Sequence, residues 1–406
     1  MSETKYQYAK VTMDGEHWGL INKIGEYVVA PEYVTIHEWR EGLLRLTKKK
    51  SEVNFQGGHW VNQYNGQVYF IDCEGEAINS NPYDYGLDFR EGMAAVVKDV
   101  QWGFILTDGS VAIEFCYEMA YGFREGLSAA KHNDKWGFIG KKGAWVIEPV
   151  YDSVQSFAHG LAVVRSGRTN HVINKSGDIV TQTPEDYPWV VIKSKSIILY
   201  GTTSQDIGMR HYGFMDAGGN ILTAPIFYVE SEYQFDLFDY SDGMLIVSNE
   251  EDKYGYLNEL GQLAIPCRYD YAEPFVNDHA LVTLNDRKYI IDKRGEISEI
   301  TELEYPYDEV QTSHEGLAGV RKGDKWGFIN QEGVEIIDLV YYGYPPHKER
   351  LPEGVYLAEV FPKFNCGLLP IIKSDGNQYR SGFIDKSGKE VIACEFMLVS
   401  GFMELN

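Results

Sequence analysis

Six carboxylates occupy one recurring place in this sequence. Glu41, Glu91, Glu125, Asp242, Glu315 and Glu353 each stand immediately before a glycine that opens a short apolar run, and His159 fills that place in one further copy. Acids repeated at a fixed position form a row if the copies stack, and a row of carboxylates steers a basic protein partner. The same residues also suit a solvated turn that keeps strand edges soluble. Further acids gather between Glu230 and Asp242 and between Glu299 and Glu309.

Other chemistry is sparse. No GxGxxG phosphate loop, Walker A motif, HExxH pair or GxSxG elbow occurs, so no catalytic residue is assigned. The ten histidines are dispersed, several of them, such as His132, His159 and His279, at turns or strand edges. Cys73, Cys116, Cys267, Cys366 and Cys394 form no close pair, which argues against structural zinc and for free thiols in a reducing compartment. The expectation is therefore no metal and no cofactor.

The elements that position these residues come from a repeat. Its clearest copy runs from Arg124 to Val154, REGLSAAKHNDKWGFIGKKGAWVIEPVYDSV. An aromatic–Gly anchor appears at Trp18-Gly19, Trp102-Gly103, Trp136-Gly137, Tyr212-Gly213, Tyr254-Gly255 and Trp326-Gly327, and Gly382 carries it after Ser381. Tyr69, His171 and Tyr289 stand at the anchor in three degenerate copies. A second glycine follows each of the ten anchors by six residues, from Gly25 to Gly388. Asn or Asp usually sits three residues before that glycine, as at Asn22 and Asp385, which suits a type I turn closing a bulged hairpin.

Alternation in WGFI places Trp136 and Phe138 on one face and Gly137 and Ile139 on the other, the pattern of a strand. Each copy is then about three short antiparallel strands followed by a Tyr-Asp segment, as at Tyr151-Asp152. The compact unit has no room for a long helix. The missing Cβ of the anchor glycine predicts close approach by a neighbouring unit, and Tyr69, His171 and Tyr289 predict weaker joints. Trp18, Trp102, Trp136 and Trp326 read as core between repeats; exposed, they would form a stacking ladder for sugars.

No Pro-, Gly- or Ser-rich linker divides the chain, so residues 1–406 read as one continuous array, with insertions near 43–67, 182–210 and 339–380. Ten units of three strands exceed an ordinary propeller of four to eight blades, so the expected fold is all-β, an open, twisted, solenoid-like array. The alternatives are one irregular β-propeller or two.

This pattern, WGFIN..G..I.P.YD preceded by EGLA.V, resembles the WG-repeat family, also called KWG repeats, common in bacterial proteins. The resemblance spans approximately residues 11 to 398. It implies a β-rich repeat, often in non-enzymatic or accessory regions, and no agreed substrate.

Acidic residues outnumber Lys plus Arg by 60 to 37, a net charge of −23, which opposes binding to nucleic acid or anionic membranes. Lys48-Lys49-Lys50 is one local basic patch. No signal-peptide-like start or 18-residue apolar run is present, so the expected compartment is cytoplasmic, with leaderless secretion as the exception. The expected function is a non-enzymatic scaffold that binds an unknown, basic protein, one form being neutralisation of a toxin. The alternatives are a carbohydrate or cell-envelope module using exposed aromatics, or an enzyme with its site in the insertions.

Overall fold

The computed structural model describes residues 7–404, apart from 51, 57–58, 64, 184–188, 202–209, 230–239, 277, 286, 300–306, 312–313, 331, 344–353, 358–362 and 375–377. The fourth repeat shows how the sequence becomes a blade. Its strands are a (Met119–Ala120), b (Leu127–His132), c (Lys135–Gly140) and d (Trp145–Tyr151), paired antiparallel in that order.

Each hairpin follows from its turn residues. Arg124 and Leu127 exchange both backbone hydrogen bonds around Glu125 and Gly126, whose φ values of 54° and 86° make a type I′ turn between a and b. Asn133 and Asp134, also at positive φ, make the turn between b and c. Gly143, at φ 78°, closes the bulged c–d hairpin by donating its amide to the Gly140 carbonyl. All ten glycines placed six residues after an anchor adopt positive φ, as the spacing predicts.

The anchor glycine answers a steric demand within its own blade. A Cβ on Gly137 would lie 2.4 Å from the Ile147 carbonyl oxygen and 2.7 Å from Pro149 N. Pairing of c with d skips there, from Trp136↔Tyr151 to Phe138↔Ile147, so strand d bulges over the glycine. The same contact recurs at Gly19, Gly103, Gly213, Gly255, Gly327 and Gly382, in each case against the carbonyl of strand d. The expected close approach is therefore real, but the neighbour is the unit's own fourth strand. The bulge turns one amide of d away from the ladder. Pro31, Pro149 and Pro225 remove that donor, and Glu335 and Glu390 accept it from Leu339 and Cys394 at 3.3 Å.

In blades 2 and 5, where the anchor is not glycine, strand d contracts. After Tyr69 only isolated bridges, Ile71↔Ala77 and Val68↔Tyr83, take its place. After His171 it spans Ile179–Gln182, and after Tyr289 its described part is Ile297–Glu299. With glycine it has seven to nine residues in all seven blades, such as Trp145–Tyr151 and Ile221–Val229. A side chain at the anchor thus goes with an edge strand reduced to isolated bridges in blade 2 and to four residues in blade 5, where a weak joint between units was expected.

The expected open array of three-stranded repeats is corrected on two counts. The Tyr-Asp segment leads into a short strand that becomes strand a of the next blade, as Ser153–Val154 does after Tyr151-Asp152. The blades are thus four-stranded in most repeats, the form of a β-propeller. Blade 1 takes its strand a from the other end of the chain: Leu398–Val399 pairs with Gln7–Thr12, and Met403–Glu404 pairs with the same strand. The repeats therefore do not run on as a solenoid; the architecture is a ten-bladed β-propeller, outside the usual four to eight blades.

The chain divides into two compact units, residues 1–115 with 304–406 and residues 116–303. The first holds blades 9, 10, 1 and 2 and most of blade 3; the second holds blades 4 to 8. In each, the core lies between successive blades. Trp136, Phe138 and Ile147 of blade 4 pack with Phe157, Val164 and Ile173 of blade 5. Trp326, Phe328 and Ile337 of blade 9 pack with Phe364, Leu369 and Ile371 of blade 10. The supposed insertion 182–210 contributes strands a and b of blade 6 (Trp189–Ile192 and Ile197–Gly201), and 339–380 contains those of blade 10 (Gly354–Leu357 and Leu368–Ser374). The segment 43–67 holds strand b of blade 2 (Leu43–Lys49) and a separate hairpin, Glu52–Gln56 with His59–Gln63.

Candidate functional site

The repeated acids sit at the first corner of the a–b turn, where Glu41, Glu91, Glu125, Asp242 and Glu315 adopt φ of 52–54°. From there Glu41, Glu125, Asp242 and Glu315 reach the corresponding turn of the next blade. The Glu41 carboxylate accepts the amides of Glu91 at 2.6 Å and Gly92 at 2.8 Å. Glu125 accepts Gly160 N–H at 2.8 Å, Asp242 accepts Asp278 N–H at 2.5 Å, and Glu315 accepts Gly367 N–H at 2.9 Å. A lysine from the c–d turn of that next blade joins in three cases: Lys175 lies 3.0 Å from Glu125, Lys386 3.1 Å from Glu315, and Lys293 3.7 Å from Asp242.

Burial works against the Glu125 carboxylate, but Lys175 and the Gly160 amide outweigh it and hold the carboxyl below its usual range. Glu41, Glu125, Asp242 and Glu315 are thus clasps between blades, each bonded to a backbone amide of the next. Glu353 lies outside the described residues. The equivalent turn of blade 10 is Cys366-Gly367, and that of blade 8 includes Asp278.

A second set of carboxylates explains the Tyr-Asp segment. Asp152 accepts the Gly167 amide at 2.6 Å from the b–c turn of its own blade and pairs with Lys135 of the preceding one at 2.5 Å. Asp270 repeats this with Asn285 N–H at 2.6 Å and Lys253 at 2.5 Å. Lys135 foremost, and then the Gly167 amide, depress the Asp152 carboxyl; Lys253 and Asn285 do the same to Asp270.

The tryptophans give no stacking ladder. Trp102, Trp136 and Trp326 are 2%, 7% and 5% exposed, and Trp18 is half-buried against the core of blades 1 and 2. Among the described residues, no group of three or more His, Cys, Asp or Glu is placed to hold a metal ion. All five cysteines are free. No helix among the described residues is long and apolar enough to cross a membrane.

Two features escaped the sequence reading. On strand b, the residue before the one opposite the anchor is small or apolar in eight blades, as at Ala95, Ala129, Val163 and Leu281, but it is Lys10 and Arg45 in blades 1 and 2. Arg45 bonds Asp88 at 2.6 Å and donates to His37 Nδ1 at 3.0 Å. Burial first, and the Arg45 charge second, push the His37 imidazole down to about 4, so it stays neutral and accepts. Burial also lowers the Lys10 ammonium, against the pull of Glu38 and Asp88. Cations at positions that are apolar elsewhere in the repeat were a legible signal.

The other feature is the outward face of strand d. Its residues alternate, and its outer positions include exposed aliphatic side chains, as at Val146, Val150, Ile221, Ile226, Ile336 and Val340, with acids such as Glu148 and Asp338 between some of them. These faces are part of the exposed apolar surface among the described residues.

Several solved structures are similar in part. A eukaryotic initiation factor shares 10% identity over 99% of this chain and 98% of its own, with a TM-score of 0.44. BamB from Moraxella catarrhalis shares 12% over 73% and 89%, with a TM-score of 0.27, and Kluyveromyces lactis Hsv2p shares 12% over 73% and 97%, with a TM-score of 0.31. No curated protein matches. The model described as WG containing repeat matches residues 18–50, 102–136, 136–168, 254–287, 303–326, 326–344 and 382–402. These segments hold six of the ten anchors together with the turns that follow them, and they identify the chain as a member of the WG-repeat family.

Proposed function

We propose that this chain is a non-enzymatic protein-binding scaffold. The observation that carries the reading is the exposed aliphatic face of the fourth strands, set on blades whose cores are filled and whose repeated acids are bonded to their neighbours. Apolar side chains left in rows on strand edges are what extended protein segments dock against. A net charge of −23 favours a partner rich in Lys and Arg and speeds its approach. Neutralisation of a basic toxin is one form of this activity, and charge alone supports it.

The test is affinity capture by the folded, purified chain from a lysate of its native organism, at low and moderate salt, read by mass spectrometry. A stoichiometric protein partner that survives moderate salt is expected. Repeated captures that return no protein above background at either salt would remove the scaffold reading.

A further inference from the structure

We infer that strand d of blade 6, Ile221–Val229, receives an extended segment of a partner protein as an added strand, and that this segment carries alternating aliphatic residues between basic ends. The inference rests on the scaffold reading and names its surface and the chemistry of its partner.

Among the described d strands this is the longest, and its sequence ILTAPIFYV has no charged residue. It lies at the end of its sheet, with no described strand on its outer side. Ile221, Leu222 and Ile226 are 61%, 37% and 56% exposed. Leu222 lies against Gly261 in the c–d turn of blade 7, and Leu260 beside that glycine is 66% exposed, so the apolar surface continues onto the next blade. Edge strands are normally blunted by charge because their free amides and carbonyls template pairing. Other d strands carry such charge, as at Glu148 and Asp338; this one has only Pro225.

Charge brackets the strand instead. At one end His211, paired with Tyr228 across the hairpin, binds Glu250 at 2.7 Å, in a turn that continues with exposed Glu251 and Asp252. At the other end exposed Glu259 precedes Leu260. An apolar strand closed by acids at both ends complements an aliphatic segment with Lys or Arg at its ends. A second copy of this chain would set acid against acid, which disfavours self-pairing along this edge.

The probe is a labelled peptide in which valine and threonine alternate between two flanking pairs of lysines, titrated into the full chain by fluorescence anisotropy. The expected result is saturable binding that weakens at least about tenfold in Leu222→Lys and Ile226→Lys. Val150→Lys, on the same face of blade 4, is expected to leave it unchanged. Circular dichroism melts of each variant establish that it is folded; all three sites are solvent-facing. A control peptide with prolines in place of the threonines keeps the charge and cannot pair as a strand, so it should not bind.

Equal binding of the two peptides, undiminished binding by the lysine variants, or dimerisation of the free chain lost in those variants would overturn the inference. A lysate partner captured equally by wild type and Ile226→Lys would overturn it while leaving the scaffold standing.

Discussion

The Glu125 carboxylate accepts the amide hydrogen of Gly160 across 2.8 Å, joining the a–b turn of blade 4 to that of blade 5. The bond explains an otherwise poor choice of residue. Glu125 holds φ of 54°, where Asn, Asp or Gly would be the favoured residue of a type I′ turn. Glutamate bears the backbone cost while its carboxylate bonds the next blade; Asp242 makes a similar link, to Asp278 N–H, with a shorter side chain. Glu41 and Glu315 make the same trade.

Replacing Glu125 by Asn separates the two effects. The turn gains and the clasp is lost, and a net destabilisation of about 1 kcal/mol is expected, since charge-assisted hydrogen bonds exceed the turn preference but this one is partly exposed. Urea denaturation of the full chain measures it. In a double-mutant cycle with Lys175→Met the coupling should be about 0.5 kcal/mol and shrink with salt. An Asn variant more stable than wild type would mean that the turn, and not the clasp, selects the residue.

Gly137 tests the origin of the anchor. A Cβ there meets the Ile147 carbonyl oxygen at 2.4 Å, and both partners are backbone, so neither yields cheaply. Gly137→Ala should lose about 1–3 kcal/mol, the usual range for overpacking. Gly140→Ala, on the same strand with its nearest neighbour at 3.6 Å, should cost little or nothing. Equal thermal shifts for the two would remove the steric account.

How far the sequence exposed this structure depends on whether a feature is local. The c–d turn is written in consecutive letters from Asn174 to Gly177, and so are the strands that flank it. Strand a is two residues long in blade 4, at Met119–Ala120, and leaves no period to read. The joining of the ends rests on contacts such as Lys10 N–H to Ser400 Oγ, 390 positions apart. The row of acids was visible as a pattern, but each of the four acids seen to reach across bonds a backbone amide of the next blade, which no letter encodes. Lys10 and Arg45 were readable as polar departures only once the other blades showed what that position normally holds.

His37 gives the protein an acid-sensitive point. Its ring is neutral and takes a hydrogen bond from Arg45, with Lys10, Lys50 and Asp88 as the other charges acting on it. Its folded value is depressed to about 4 from an ordinary value near 6.5, so the unfolded chain takes up the proton first as pH falls. Stability from this group is complete above about pH 6.5 and is lost progressively as pH falls toward 4, by at most about 3 kcal/mol and by less as solvent screens this half-buried ring. His37→Gln should flatten the pH dependence of the urea midpoint over that window. An unchanged slope would place the titration elsewhere.

The end strands make the last test, because they distinguish a joined propeller from an array with free ends. Phe402 is fully buried and meets Phe383 edge-on at 4.9 Å, in a core shared by Ala9 and Val11 near the start of the chain and Leu368 and Ile392 near its end. Its backbone neighbours pair with Gln7–Thr12, so this one side chain packs where the two ends meet. Phe402→Ala should cost about 3–5 kcal/mol, the usual price of truncating a buried phenylalanine. Because the lost contact joins the ends, hydrogen exchange should accelerate first in residues 7–12 and 398–404. Acceleration confined to residues 398–404, with 7–12 as protected as before, would show that the first blade holds without its borrowed strand.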